Sequence, residues 1–106
     1  KIGTKVIVNP GIISATDEWT QRGEESVSPN YQILGEKIRG GFAEYVAVPT
    51  KNLLAIPEEI INKPHGVVTA CASILVGTTA WRMLKHRAQV KPGETVLIVG
   101  AGGGVN

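Results

Sequence analysis

The chain has 106 residues, a length that fits one small domain, and 42% of them are hydrophobic, enough for a modestly buried core. Eleven Lys and Arg stand interspersed among nine Asp and Glu, so no basic stripe suggests a nucleic-acid surface. Aromatic residues make up 5%, too few for a platform on which single-stranded bases stack.

Lys1 opens the chain with neither an initiator Met nor a signal peptide, and both ends read as cut. Val6-Ile7-Val8 is a β-branched run stopped by Asn9-Pro10-Gly11, a strand followed by a turn. Residues 12–40 are polar, acid-bearing and weakly periodic, and read as a long loop or lobe; a loop of that length often has a functional reason. Trp19 within it either covers neighbouring loops or meets a second subunit. Phe42 to Val48 alternates and is rich in strand formers, which predicts a strand. Leu53 to Ile56 predicts another, ended by Pro57-Glu58-Glu59.

Pro64 precedes a helical region from about His65 to His86, where Val67, Val68, Cys71, Ile74, Leu75, Thr78, Trp81 and Leu84 recur at helical spacing. Apolar residues surround most of this helix, which predicts burial. Trp81 is read as a core residue and Cys71 as a small buried hydrophobe. A single cysteine excludes an internal disulfide and any all-cysteine metal site, and fits a reducing, cytoplasmic location. Polar residues interrupt every apolar stretch before ~18 residues, so no membrane span is expected. Lys85, His86 and Arg87 suit a helix C-terminus, and His65 and His86 are read as structural or solvated. Lys91-Pro92-Gly93-Glu94 predicts a turn into a last apolar strand, Val96 to Val99, which breaks into Gly100-Ala101-Gly102-Gly103-Gly104-Val105-Asn106. A strand feeding such a turn is how dinucleotide-binding folds open, with bare backbone brought close to a pyrophosphate. By itself the run is equally a flexible tight turn. No Gly-Lys-[Ser/Thr] follows, which argues against a mononucleotide P-loop.

Four places share one resemblance. Lys1-Ile-Gly-Thr-Lys-Val-Ile-Val, Gly41-Phe42-Ala43-Glu44-Tyr45-Val46, Thr78-Thr79-Ala80-Trp81 and Val90-Lys91-Pro92-Gly93-Glu94-Thr95-Val96 with its glycines resemble, in order, motifs of the medium-chain dehydrogenases/reductases. The nearest branches by resemblance are the zinc-type alcohol dehydrogenases and the quinone-reductase-like proteins. The fold class implied is α/β for the whole family. This chain would supply part of a GroES-like β-barrel catalytic domain over residues 1–63, a connecting helical region over 64–92 and the first strand and turn of a Rossmann domain over 93–106.

The resemblance implies an NAD(P)-dependent oxidoreductase that moves hydride between nicotinamide and an alcohol, a carbonyl or a quinone, working as a homodimer or homotetramer with no membrane or nucleic-acid partner. The alternatives are a non-catalytic dinucleotide-binding protein and a purely structural GroES-like module. Cofactor contacts carried over are Thr79, Ala101, Gly102, Gly103, Gly104 and Val105, with NAD or NADP as the cofactor. Thr79 is alternatively a helix hydroxyl bonded back to the preceding turn. The fingerprint G/A-x-G-x-x-G falls on Ala101, Gly103 and Asn106, so its third position departs. No catalytic residue is identifiable.

Many relatives hold a structural zinc with cysteines spaced C-x2-C-x2-C-x7-C; here those positions are Ser14, Asp17, Thr20 and Ser28. Their oxygens are hard and mostly neutral where zinc wants thiolate or imidazole, so zinc is not expected and a polar lobe held by hydrogen bonds is. A weak Ca²⁺ or Mg²⁺ at Asp17 and Glu18 lacks the further oxygen ligands such sites need. The family's third catalytic zinc ligand falls on Leu75, which cannot ligate, so no metal residue is assigned.

Overall fold

The computed structural model describes residues 1–106, which divide into two compact units, Lys1–Ile56 and Pro57–Asn106. In the first unit, β1 (Val6–Val8) pairs antiparallel with β4 (Leu53–Ala55), in register Val6 with Ala55, Ile7 with Leu54 and Val8 with Leu53. Bonds from the Ile56 amide to Lys5 and from the Asn9 amide to Asn52 extend the ladder at both ends. Ile56, 5% exposed, is the buried apolar residue of this unit.

The lobe between these strands has more internal order than its weak periodicity predicts. β2 (Gly11–Ile13) pairs antiparallel with β3 (Tyr31–Ile33), Gly11 facing Ile33 and Ile13 facing Tyr31. A Cβ at Gly11 would run into the Tyr31 ring, so the ring closes over bare backbone. Between β2 and β3 lie α1 (Glu18–Gln21) and a 3₁₀ turn over Glu25–Val27. A capping box starts α1: Asp17 accepts from the Thr20 amide at 2.9 Å, and Thr20 Oγ1 accepts from the Asp17 amide at 2.8 Å. A second 3₁₀ turn, Thr50–Asn52, leads into β4.

The expected strand over Phe42–Val48 does not form; this segment is irregular, with Phe42 and Tyr45 exposed. Alternation marks a segment able to bury one face, but a strand needs a neighbour to bond, and none lies beside it in this chain. Val96–Val99 likewise makes no ladder.

In the second unit, α2 (Glu58–Ile61) packs against α3 (Gly66–Trp81), which continues as a π-helical stretch over Arg82–Arg87. His65, in the left-handed region at φ 57°, turns the chain into α3, and Gly66 follows it buried against α2. A Cβ there would collide with the Ile60 carbonyl oxygen, so only glycine fits. Gln89 at φ 52° ends the helix, and Lys85, His86 and Arg87 occupy its last turn as the dipole favours. The Lys91–Glu94 turn follows, with Pro92 second, Gly93 third at φ +91°, and the Glu94 amide donating to the Lys91 carbonyl at 3.2 Å.

Much of α3 stays exposed, against the expectation of burial. Trp81 is 60% exposed and carries Lys85 over its ring at 5.8 Å, so it is not a core residue; Cys71 is exposed as well. The short α2 packs against α3 and the C-terminal glycine loop reaches it at Val76, but much of its apolar surface, Val68, Leu75 and Trp81 among it, stays exposed. The continuous helix Gly66–Arg87 is also long and apolar enough to cross a membrane by length and composition, contrary to the expectation drawn from its polar interruptions. Those interruptions are masked: the hydroxyls of Ser73, Thr78 and Thr79 donate to carbonyls one turn back.

Candidate functional site

The glycine loop is held by its own backbone and one side chain. Gly100 sits at φ +77°, a conformation favouring glycine, and its carbonyl accepts from the Gly103 amide at 3.2 Å. The same carbonyl accepts from Asn106 Nδ2 at 2.8 Å. A Cβ at Gly102 would meet nothing within 4 Å, so the backbone there is open to close approach. At Gly104 a Cβ would lie 3.2 Å from Val76 Cγ1, which sets the loop against α3.

Val76 and Thr79 lie three residues apart and so share a helix face. The carried-over residues Gly104 and Thr79 are thereby brought to the same side of α3. The Thr79 hydroxyl donates to the Leu75 carbonyl at 3.1 Å, the alternative weighed for it from the sequence. Its oxygen still has lone pairs able to accept from a carboxamide. Ala101 to Gly104 are exposed and Val105 is half-buried. Small side chains, open backbone and a hydroxyl on the same face of α3 suit the pyrophosphate and carboxamide of a nicotinamide dinucleotide, so the residues present fit that group.

No three of the chain's His, Cys, Asp and Glu residues come together as a metal cluster, and Leu75 is 49% exposed.

In the first unit the sequence reading missed Asn52, which is 4% exposed. Its Nδ2 donates to the Asn9 carbonyl at 2.8 Å and to the Gly11 carbonyl at 2.6 Å, tying the β1–β2 turn to the start of β4. The only signal was one amide directly before an apolar strand. The Asp17 carboxylate accepts from Ser28, from the Thr20 amide and from Asn30 Nδ2 at 2.9 Å, and these donors, led by Ser28, lower its pKa to about 2.

The model of the alcohol dehydrogenase GroES-like domain matches residues 1–58. The chain belongs to that family, the medium-chain dehydrogenases/reductases. This family member is 34% identical over 107 residues to an NAD-dependent alcohol dehydrogenase of Sulfolobus acidocaldarius, a match covering 99% of this chain and 29% of that protein. It is 30% identical over 105 residues to an alcohol dehydrogenase of Geobacillus stearothermophilus, covering 97% and 29%. Identity to a quinone oxidoreductase of Pongo abelii is 38% over 68 residues, covering 64% and 19%. A crystal structure of an NAD-dependent alcohol dehydrogenase superposes with a TM-score of 0.74 at 37% identity, over 86% of this chain and 25% of that one. The chain thus spans 29% or less of each of these curated relatives.

Proposed function

We propose that the protein to which this chain belongs is an NAD(P)-dependent oxidoreductase that transfers hydride between nicotinamide and an alcohol, a carbonyl or a quinone. The observation that carries this reading is the open glycine loop Gly100–Val105 set against α3 at Val76, in a chain that resembles NAD-dependent alcohol dehydrogenases along 99% of its length. Ala101, Gly102, Gly103 and Gly104 would lie under the pyrophosphate, which would be taken on the amides other than that of Gly103, already bonded to the Gly100 carbonyl, and Thr79 and Val105 would face the nicotinamide. The bound cofactor supplies the hydride chemistry; the chain's own part is to bind and orient it.

On this reading residues 93–106 open a Rossmann domain, residues 64–92 connect to it, and residues 1–63 belong to a GroES-like barrel. Val96–Val99 would become a strand once parallel neighbours flank it, because such strands are bonded on both edges. Those elements would also cover α3, making it a packed helix of a cytoplasmic homo-oligomer rather than a membrane span. Leu75 at the third ligand position favours a zinc-independent reductase, in which an apolar side chain stands near the nicotinamide.

The test uses the full-length protein. Nicotinamide fluorescence should change on titration, and NAD(P)H should turn over with alkenals, ketones or quinones. Binding without turnover on any of these substrates would favour a dinucleotide-binding protein, and no binding would favour a structural module. Finding about one zinc per chain would overturn the zinc-independent reading.

A further inference from the structure

The fold family implies a structural metal in the lobe, at the positions held here by Ser14, Asp17, Thr20 and Ser28. The donor set does not fit one. A zinc site of this kind gathers thiolates or imidazoles. Here the four positions offer one carboxylate and three hydroxyls, and those groups are engaged with one another. Asp17 Oδ1 accepts from the Thr20 amide at 2.9 Å. Asp17 Oδ2 accepts from the Ser28 hydroxyl and from Asn30 Nδ2. Thr20 Oγ1 accepts from the Asp17 amide and donates to the Asp17 carbonyl, both at 2.8 Å. Ser28 Oγ also accepts from the Asn30 amide at 3.0 Å, and Ser28 is 6% exposed.

Ser14, the fourth position, joins through Asn30, whose carbonyl accepts from the Ser14 amide at 3.2 Å and hydroxyl at 3.1 Å. All four positions therefore belong to one hydrogen-bonded cluster that joins the end of β2, α1 and the start of β3. Asn30, outside the cysteine pattern, links the ends.

We propose that Asp17 takes the organising place of the structural metal, drawing Thr20, Ser28 and Asn30 onto one carboxylate so that the lobe holds its shape with no metal bound. The cluster does by charge-assisted hydrogen bonding what four ligands on one cation would do: it fixes segments far apart in sequence to a common centre. A cation would have to strip the carboxylate of its donors before it could bind there.

The experiment is hydrogen exchange of the Thr20, Asn30 and Ser14 amides in the full-length protein, with and without a strong chelator, and in Asp17→Ala, Asp17→Asn and Ser26→Ala variants. Chelator should leave lobe exchange unchanged. Asp17→Ala should quicken it by about tenfold or more, as expected when a charged acceptor is removed. Asp17→Asn, which keeps an acceptor for Thr20 but no charge, should fall between, and Ser26→Ala at an exposed position should match the parent. Faster lobe exchange under chelator, or parental exchange in both Asp17 variants, would overturn the proposal. The chelator and Asp17→Asn arms decide it should Asp17→Ala fail to fold.

Discussion

Asn106 donates its side-chain amide to the Gly100 carbonyl at 2.8 Å, so the two ends of the glycine loop are fastened by the residue that stands where the dinucleotide fingerprint carries its third glycine. The departure is thus a polar clamp rather than a void. On the proposed cofactor-binding reading, a negative charge there would face a pyrophosphate, and the side chain would lose its donor. In the full-length protein, Asn106→Asp should weaken NADH binding by about fivefold, on the order of 1 kcal/mol. Raising the salt should shrink the difference by screening it. Fluorescence titration at two ionic strengths reads both effects; equal affinities for parent and variant would remove the loop from the cofactor site.

Gly66 and Gly77 lie in the same helix and should respond to alanine in opposite directions. At Gly66 the new Cβ overlaps the Ile60 carbonyl oxygen, backbone that cannot rotate aside. Gly66→Ala should cost about 1–3 kcal/mol of stability as α2 is pushed away. At Gly77 a Cβ meets nothing within 4 Å. Gly77→Ala should stabilise by roughly 0.5–1 kcal/mol, the helix-propensity gain. Urea unfolding of the two variants checks the pair, and a destabilised Gly77→Ala would show that something packs there.

β1, β4 and α3 were legible because each announces itself locally: a β-branched run before Asn-Pro-Gly, an apolar run before Pro-Glu-Glu, and helical spacing after Pro64. The lobe was less so. Asp17 and Thr20 stand at capping-box spacing, but the bond from Ser28 to Asp17 spans 11 residues, and local spacing carries no record of such closure. Phe42–Val48 shows the converse. Its alternation is a local property, whereas strand pairing depends on a neighbour the segment itself does not name. The exposure of Cys71 and Trp81 has the same origin, since a helix's pattern says which faces are apolar and not what covers them. Of the candidate site, the glycine run was read directly, but its setting against Val76 needed the fold.

Asn52 should be among the least replaceable polar residues of the first unit. Both hydrogens of its amide are spent on the Asn9 and Gly11 carbonyls. Asn52→Ala would leave two carbonyls without their donor in a part-buried place, a loss of about 1–3 kcal/mol. Asn52→Asp should be worse, because a carboxylate would face the same two oxygens with no hydrogen to offer. Thermal unfolding should rank parent above Ala above Asp. An Asp variant as stable as the parent would show that the amide is not what ties the turn to β4.

The Asp17 carboxylate makes an acid-side prediction with a definite sign. Its donors favour the charged form, so its folded pKa lies at about 2, below the ordinary 3.8. A group whose pKa is depressed on folding contributes stability that is full above the unfolded value and fades as pH falls toward the folded one. The stabilisation from this cluster should therefore be complete above about pH 5 and decline between about pH 4 and pH 2. Glu18 beside it pairs with Arg22 at 3.4 Å, an exposed pair of a kind that adds little to stability. Following unfolding from pH 6 to pH 2 should show the advantage of the parent over Asp17→Asn shrinking as the carboxylate takes up its proton. A difference between the two that stays constant down to pH 2 would mean that the charge of Asp17 plays no part in holding the lobe.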